Sequence, residues 1–337
     1  MRLKYLCVSG IPFLCLILAV LTGCGRPAPA RLMQGMIWNT TFKITYLSEH
    51  NLNDSVMTAL NEVGRSLSVF DTASLVSRVN RAERAIAVDS AFCVVWRESM
   101  AAHQASSGRF DPTLSPLITA WGFGPGHYPT ADTLRLDSLL RMVGLTKSHL
   151  RGDTLYKDVP SLQFNFSALA KGFGCDQAAE VLKRNGVKDF LVEIGGEITA
   201  AGNSPRGTDW RVSVDKPVTS DEITHSSQLV INLPAPCGMA TSGNYRNFHT
   251  TTSGSRFGHT IDPVSGRPCV TDILSATVIA PTCVQADALA TACMTMASQS
   301  AMAMADSLSR PVMLVLADSS VCMNESFSAL VREKTRQ

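Results

Sequence analysis

The chain has 337 residues, of which 45% are hydrophobic and 17% charged, and its formal net charge is +2 at pH 7. This composition is typical of a globular protein with a sizeable core, and it excludes an intrinsically disordered chain. No basic stripe or run is present, which excludes a typical nucleic-acid-binding surface.

The N-terminus has the pattern of a bacterial targeting segment. Arg2 and Lys4 are positively charged, and the apolar run over residues 6–20 is shorter than the roughly 20 residues of a membrane-spanning helix. Leu-Thr-Gly-Cys at 21–24 matches a lipobox, which predicts removal of residues 1–23 and lipidation of Cys24. The alternative is an ordinary secretory signal in which Cys24 is incidental.

The lipobox interpretation predicts a short tether over residues 24–34 and a folded domain over residues 35–330. It places the protein in the bacterial cell envelope, anchored by lipid and facing the periplasm. Gly25 is not the Asp that often retains lipoproteins at the inner membrane, so the choice between inner and outer membrane stays open.

Seven cysteines follow Cys24, without CxxC spacing or Cys/His pairing, and a zinc site is therefore not expected. Several lie in apolar surroundings typical of buried thiols. The sequence does not select a disulfide pair.

The N-terminal half alternates between strand and helix patterns. Residues 38–46 are rich in β-branched and aromatic side chains and predict a strand, and apolar residues at helical spacing over 52–70 predict an amphipathic helix. Residues 74–80 are interpreted as a connecting segment. A second helix follows, which Ser90 can cap and which ends near Gly108.

Two turn-rich, aromatic segments come next, Gly-Arg-Phe-Asp-Pro-Thr at 108–113 and Trp-Gly-Phe-Gly at 121–124. They are either ordinary loops or a wall for a flat aromatic ligand, since Phe and Trp offer apolar planes and glycine permits close approach.

The middle of the chain predicts a helix over 136–143, a strand over 162–166 and a helix over 175–185 that ends at Gly186. A strand, a loop of small residues and a helix in this order can present backbone N–H groups to phosphate, and Lys171 could add charge. Without Walker A or GxGxxG spacing, a plain surface lysine is the simpler interpretation.

The C-terminal half is strand-rich. Strands are predicted over 190–193, 210–214, 228–233, 276–280 and 312–316, the last followed by a short fraying tail. His259 could be a general base or a phosphate-binding group, although a lone histidine is more often structural.

A helix is predicted to start at Thr282, because Thr282 and Gln285 fit a capping box. Asp287 and Thr291 are four residues apart and share a face of that helix. A carboxylate and a hydroxyl one turn apart can hold Mg²⁺. The alternative is that Asp287 only complements the helix N-terminus.

Nine motifs, any one of which is weak, occur together in a fixed order across about residues 35–317. They are 40–42 (Thr-Thr-Phe), 77–80 (Ser-Arg-Val-Asn), 108–113, 121–124, 170–173 (Ala-Lys-Gly-Phe), 193–197 (Glu-Ile-Gly-Gly-Glu), 241–243 (Thr-Ser-Gly), 259–263 (His-Thr-Ile-Asp-Pro) and 286–291 (Ala-Asp-Ala-Leu-Ala-Thr). As an ordered set they resemble the ApbE family, the FAD:protein FMN transferases, many of which are lipoproteins.

The resemblance implies an α+β fold: a compact mixed α/β, T-fold-like unit with two sub-lobes around a flavin cleft. It implies that FAD is the substrate, that AMP leaves, and that FMN is attached through a phosphoester to a Thr or Ser of a partner protein. The partners it implies are flavin-accepting subunits of membrane redox pumps, of the Rnf or sodium-pumping NADH:quinone reductase type. Such a reaction needs a cation to neutralise the pyrophosphate.

The resemblance also implies roles for individual residues. The Mg²⁺ ligands would be Asp287, which also counts as catalytic, Thr291 and the backbone carbonyl of Ala168. His259 would be the base that deprotonates the acceptor hydroxyl. The residues that would contact FAD are Trp38, Arg109, Phe110, Asp111, Asn165, Lys171 and Ile261.

Two positions depart from the family pattern. Asn39 stands where many members have glycine, and because Asn tolerates left-handed backbone angles the turn could survive. Asn165 stands where members commonly have Asp, which could weaken nucleotide or metal binding. Two other functions stay open: an Mg²⁺-dependent FAD pyrophosphatase, and a flavin-binding lipoprotein without turnover.

Overall fold

The computed structural model describes residues 28–124, 136–215, 227–243, 248–250 and 256–331. The predicted signal peptide, Cys24 and the start of the tether lie outside the described residues. The strands of the described residues are β1 (Ala30–Ile37), β2 (Thr40–Leu47), β3 (Ala85–Ala87), β4 (Ser148–Arg151), β5 (Thr154–Lys157), β6 (Phe190–Ile194), β7 (Glu197–Ala201), β8 (Arg211–Asp215), β9 (Ser227–Asn232), β10 (Cys237–Gly243), β11 (Phe248–Thr250), β12 (Arg256–Gly258), β13 (Ile273–Ala280), β14 (Val312–Leu316) and β15 (Val321–Met323). The helices are α1 (Asn53–Leu67), α2 (Leu75–Arg81), α3 (Ser90–Ala105), α4 (Ser115–Ala120), α5 (Leu136–Arg141), α6 (Ala170–Arg184), α7 (Cys283–Cys293), α8 (Ser298–Ser307) and α9 (Glu325–Ser328), with a 3-10 turn at Leu145–Lys147.

The fold is built on an eight-stranded sheet with the strand order β1-β2-β6-β7-β10-β13-β14-β15, in which every neighbouring pair is antiparallel. Smaller sheets combine β3-β5-β4, β8-β9 and β11-β12. Antiparallel sheet with helices packed against it is the α+β class that the resemblance implies, and this expectation is confirmed.

The two faces of the main sheet bury different partners, because successive strand residues point to opposite sides. On one face, side chains such as Ile44 and Val192 pack against α1 and α6, and α7 lies farther along the same face. On the other face, Ile198 and Met239 pack against the β8-β9 hairpin and Phe327. The helix-covered face carries the candidate site.

The first strand pair is a tight hairpin. Ile37 pairs with Thr40, and the two residues between them, Trp38 and Asn39, have φ angles of 48° and 59°. Two consecutive left-handed residues form the turn type that matches the twist of the paired strands. Asn39 therefore adopts the left-handed backbone conformation at the position where many family members have glycine. The strand predicted over 38–46 therefore starts at Thr40, and the structure places β1 from Ala30 onward, within the predicted tether.

Three other predicted elements differ from the structure. Residues 74–80 belong largely to α2, because Ser74 caps its N-terminus and Leu75, Val76 and Val79 are buried. The helix predicted from Cys175 begins at Ala170, which places Lys171 in its first turn. The chain after β14 does not fray at once, since β15 and α9 follow it.

Residues 162–166 run extended but join none of the sheets of the described residues. The side chain of Asn80 instead takes the place of a neighbouring strand, accepting from the N–H of Phe164 at 2.7 Å and donating to its carbonyl at 2.9 Å. The aromatic residues of this segment pack edge-on against Phe92. The side chains of this segment are therefore buried although its backbone pairs with no strand, which explains why its sequence pattern resembles that of a strand.

None of the helices in the described part of the chain combines the length and apolar character that crossing a membrane requires.

Candidate active site

The first turns of α6 and α7 lie directly against each other on the helix-covered face. A methyl group at Gly172 would lie 2.5 Å from the carbonyl oxygen of Cys283 and 2.9 Å from the Cβ of Asp287. Only glycine permits so close an approach. The contact brings Lys171 and the turn before α6 next to Asp287.

Asp287 is buried in this contact, with 3% of its surface exposed. Its Oδ2 accepts a hydrogen bond from the N–H of Gly172 at 3.0 Å, and no hydrogen bond of the described residues engages Oδ1. Burial raises the pKa of Asp287, against the opposing effects of Lys171 and of the Gly172 hydrogen bond. The unused oxygen is free to bind a cation.

The carbonyl of Ala168 lies just outside α6, because Leu169 is the N-cap of that helix. The N–H of Gly172 belongs to the first turn, has no carbonyl partner within α6 and donates to Asp287. Among the described residues, no donor is directed at the Ala168 oxygen. A second hard oxygen donor is therefore available at the start of α6, the end of the helix that contacts Asp287.

Thr291 lies one turn after Asp287 on α7, and its Oγ1 is 3.1 Å from the Oγ of Ser242. Ser242 belongs to β10, where the alternation of side chains directs it toward α7 and directs Thr241 to the opposite face, against Thr277. The 241–243 motif therefore contributes a hydroxyl to the site through Ser242, a residue that the sequence did not single out.

Lys171 is not the plain surface lysine of the simpler interpretation. Its Nζ forms an ion pair with Oε1 of Glu197, which is 2% exposed. Burial lowers the pKa of Lys171, but Asp287 and Glu197 outweigh this effect and hold it above its usual value. Burial raises the pKa of Glu197 to about 7, despite the attraction of Lys171.

Glu197 ends the 193–197 motif, but sequence reasoning assigned it no role. Its Oε2 is buried and has no hydrogen-bond partner among the described residues, which is costly unless something binds there. The signals in the sequence were this motif and the place of Glu197 directly after the Gly195-Gly196 turn, where β7 begins. Strand alternation turns it toward α6.

Arg109 lies apart from this cluster. Its Nη1 donates to Oδ1 of Asp262 at 3.0 Å, and both residues line a surface groove of about 900 Å³ beside α8. The structure therefore joins the 108–113 and 259–263 motifs through an ion pair. Arg109 remains 40% exposed at its side chain and can reach a ligand.

Three residues with implied flavin contacts are buried in the described structure. Phe110 and Ile261 are each 2% exposed and pack in apolar clusters. Asp111 uses both carboxylate oxygens internally: Oδ1 accepts from Thr113, and Oδ2 accepts from the N–H of Leu145 at 3.0 Å. Any contact of these residues with a ligand would have to come from backbone atoms or exposed edges.

The 121–124 and 259–263 motifs meet around Phe257. Trp121 and Phe123 contact its ring edge-on, with centroid distances of 5.7 and 6.0 Å. The ring of His259 lies 6.2 Å from that of Phe123. The structure thus places His259 against the aromatic segment.

Trp38 and Asn165 support the site from its edges. Trp38 packs over Gly174 of α6, where an added methyl group would lie 2.5 Å from its ring. The Oδ1 of Asn165 accepts from the N–H of Ser167 at 3.0 Å, forming a turn before α6. An amide oxygen makes this bond as an Asp carboxylate would, so the departure to Asn preserves the turn.

The N-terminus of α7 is where the sequence predicts it, but the predicted capping box does not form. The hydroxyl of Thr282 is buried and has no hydrogen-bond partner in the described parts of the chain, and the side chain of Gln285 donates to Glu98 at 3.4 Å. Asp176 of α6 instead accepts from the N–H groups of Cys283 and Val284 at 3.0 and 2.9 Å. A side chain from another helix has replaced the local cap.

The Ala168 carbonyl, Asp287 and Thr291 make an all-oxygen donor set with one negative charge. Mg²⁺ favours such donors and keeps its other positions for water and phosphate oxygens. The residues present therefore fit this ion. Within the described ranges, no group of three or more His, Cys, Asp or Glu side chains is placed to hold a metal.

Fold and site together define an α+β protein in which oxygen donors suited to a cation accompany an ion pair between Lys171 and the buried Glu197. The sequence profile of the ApbE family matches residues 38–315. The chain belongs to the ApbE family.

Similar proteins match almost the whole chain. A FAD:protein FMN transferase of Vibrio cholerae is 34% identical over 311 residues, covering 89% of this chain and 91% of that relative. One of Haemophilus influenzae is 30% identical over 338 aligned residues, covering 96% of each. The solved structure of the flavin transferase ApbE from Vibrio cholerae superposes with a TM-score of 0.80 at 31% identity, covering 90% of this chain and 100% of that one.

Proposed function

We propose that this protein transfers FMN from FAD to a Thr or Ser hydroxyl of a partner protein and releases AMP. Family membership supports the reaction class. The observation that carries the proposal is the hydrogen bond from the Gly172 N–H to buried Asp287, which holds this carboxylate at the start of α6, where Lys171 and the unbonded Ala168 carbonyl also occur in the chain. Such a cluster suits a pyrophosphate with its cation.

The proposed cation is Mg²⁺, held by the Ala168 carbonyl, Asp287 and Thr291. When bound, it would neutralise pyrophosphate charge and stabilise the AMP that leaves. Lys171 would add a positive charge for the phosphates, and Glu197 would fix its position through their ion pair.

In the transfer, the acceptor hydroxyl oxygen bonds to the FMN phosphorus as the bond from that phosphorus to the AMP oxygen breaks. The hydroxyl proton would pass to His259, which lies partly exposed at the edge of the aromatic group. The flavin would contact this part of the molecule together with Arg109. Trp38, Phe110, Asp111, Asn165 and Ile261 would shape the pocket from beneath.

The proposed location is the bacterial cell envelope, with a lipid anchor on Cys24 and the domain facing the periplasm. The lipobox at 21–24 supports this location. The proposed acceptors are flavin-carrying subunits of membrane redox pumps, such as those of the Rnf or sodium-pumping NADH:quinone reductase type. Mass spectrometry of the mature protein tests the anchor, because lipidated and unlipidated Cys24 differ in mass.

Incubation of the purified protein with FAD, Mg²⁺ and an acceptor domain tests the function. A covalently labelled, fluorescent acceptor together with one AMP per label supports transfer. AMP without label would indicate a pyrophosphatase, and bound but intact FAD would indicate a flavin-binding protein; either result contradicts the transfer proposal.

Replacement of Asp287 tests the metal assignment. Asp287→Ala removes the only charged donor of the set, so we expect Mg²⁺-dependent AMP release to be lost. Circular dichroism checks that the variant is folded. Full activity in a folded variant would show that Asp287 does not hold the cation.

A further inference from the structure

Asp176 joins α6 to α7 at a point that the proposed reaction does not use. Its Oδ1 accepts from the N–H of Cys283 at 3.0 Å and from the hydroxyl of Thr199 at 2.7 Å, while Oδ2 accepts from the N–H of Val284 at 2.9 Å. These are the first amides of α7, which lack carbonyl partners within their own helix. All three donors converge on one carboxylate.

A second carboxylate makes the same kind of bond in the opposite direction. Asp287 of α7 accepts from the N–H of Gly172 in the first turn of α6. Gly172 and Asp176 are four residues apart on α6, and Cys283 and Asp287 are four residues apart on α7. Each helix therefore accepts backbone hydrogen bonds from the other, two at Asp176 and one at Asp287, and the two carboxylates act one turn apart.

Hydrogen bonds at two points one helical turn apart fix both the translation and the rotation of α7 relative to α6. The backbone contact of Gly172 with Cys283 leaves no room for either helix to move inward. β10 closes the remaining side, because a methyl group at Gly238 would lie within 2.4 Å of Cys283 backbone atoms. The hydroxyl of Thr282 could cap α7 locally but does not.

We infer that Asp176 is a positioning residue of the cation site, which sets the register of α7 so that Asp287 and Thr291 face the free carbonyl of Ala168. This inference rests on the proposed Mg²⁺ site. A side chain that only capped α7 would affect the amides it binds and nothing beyond them. A side chain that sets register must also affect the Gly172–Asp287 contact one turn away.

The test compares Asp176→Asn with Glu180→Gln in the full protein. Asn retains one acceptor oxygen but places an NH₂ group opposite the second amide of α7, so one interhelical bond is lost. Glu180→Gln removes the same charge one turn later on α6, where the carboxylate pairs with Arg184 at 2.8 Å. It serves as the matched control because its bonds do not reach α7.

Two measurements are made on each protein. The first is amide hydrogen exchange at Gly172, Cys283 and Val284 without metal. The second is the Mg²⁺ concentration that gives half of the thermal upshift of the FAD-bound protein. Groups that orient metal ligands change affinity by about 10- to 100-fold when lost. For Asp176→Asn we expect faster exchange at Gly172 and a half-saturating Mg²⁺ concentration raised at least tenfold, with Glu180→Gln unchanged.

Faster exchange at Cys283 and Val284 with Gly172 unchanged would overturn the inference, since Asp176 would then be only a cap. If the wild-type protein shows no Mg²⁺ response, the proposed cation fails, and exchange at Gly172 still decides whether Asp176 sets the register. If Asp176→Asn does not fold, Thr199→Val replaces it. That variant loses only the hydroxyl that orients Asp176. We expect its half-saturating Mg²⁺ concentration to rise about two- to threefold, and an unchanged concentration would overturn the inference.

Discussion

Gly172→Ala is the substitution whose effect follows most directly from the geometry. The added methyl group would lie 2.5 and 2.8 Å from the carbonyl oxygen and carbon of Cys283, and 2.9 Å from the Cβ of Asp287. Two of these three atoms are α7 backbone, which cannot rotate away as a flexible side chain can. The two helices must therefore move apart.

The loss of stability can be estimated from three contributions. Overpacking of a close contact costs about 1–3 kcal/mol, and loss of the hydrogen bond from the Gly172 N–H to the Asp287 carboxylate costs about 1.5–3 kcal/mol. The better helix propensity of Ala returns about 1 kcal/mol. We expect the free energy of unfolding to fall by about 2–5 kcal/mol. A ligand displacement near 1 Å would lower kcat/KM by roughly 100-fold.

Urea unfolding and FAD-dependent AMP release measure the two effects. Gly186→Ala, in the turn that follows α6, is the matched control: Gly186 has a φ of 78° and open space around it, so the variant should lose about 1 kcal/mol of stability and keep its activity. Wild-type stability and activity in Gly172→Ala would refute the close α6–α7 contact. Equal losses in both variants would show that backbone strain, and not the contact, is responsible.

Two further predictions concern the site. Thr291→Val keeps the shape of the side chain but removes its hydroxyl. The Mg²⁺ concentration for half-maximal AMP release should therefore rise at least tenfold, while the free energy of unfolding in urea changes by about 1 kcal/mol or less. An unchanged Mg²⁺ titration would exclude Thr291 as a ligand. Burial raises the pKa of Glu197 from 4.5 to about 7, so between these pH values the folded state holds a proton that the unfolded state has released, and stability falls as pH rises, by at most about 1.4 kcal/mol per pH unit. Glu197→Gln should lack this part of the slope when urea unfolding is compared at pH 5 and pH 7, and identical slopes would contradict the buried carboxyl.

Local rules predicted the elements that local forces stabilise. The apolar spacing over 52–70 gave α1, and the pattern near Thr282 gave the start of α7. Asp287 and Thr291 were placed on one helix face by spacing alone. Left-handed angles at Asn39 were also predictable, because they depend on the residue type and its neighbour in a tight turn.

Partners distant in the chain could not be predicted in this way. The bond from Gly172 to Asp287 spans 115 residues, and the bond from Val284 to Asp176 spans 108. The capping box assumed that the Thr282 hydroxyl would satisfy the first amides of α7. A carboxylate from α6 is a stronger acceptor than a hydroxyl, and it took these amides instead.

The strand predicted over 162–166 failed for a related reason. Its alternating buried side chains are those of a strand, but the side chain of Asn80 satisfies the backbone of Phe164. Sequence pattern reports which side chains are buried, and it does not report which group pairs with the backbone.

The start of α6 connects these observations to the chemistry. If α6 began at Cys175, as the sequence suggested, Lys171 would lie in a loop and the N–H of Gly172 would have no fixed direction. Because α6 begins at Ala170, that N–H points along the helix axis toward its N-terminal end, where Asp287 intercepts it. Ala168 precedes the N-cap of α6, and its carbonyl oxygen accepts no hydrogen bond from the described residues. The metal-binding potential of the site therefore depends on the hydrogen bond that holds Asp287 against the start of α6, and the carboxylates on both sides of the α6–α7 contact maintain it.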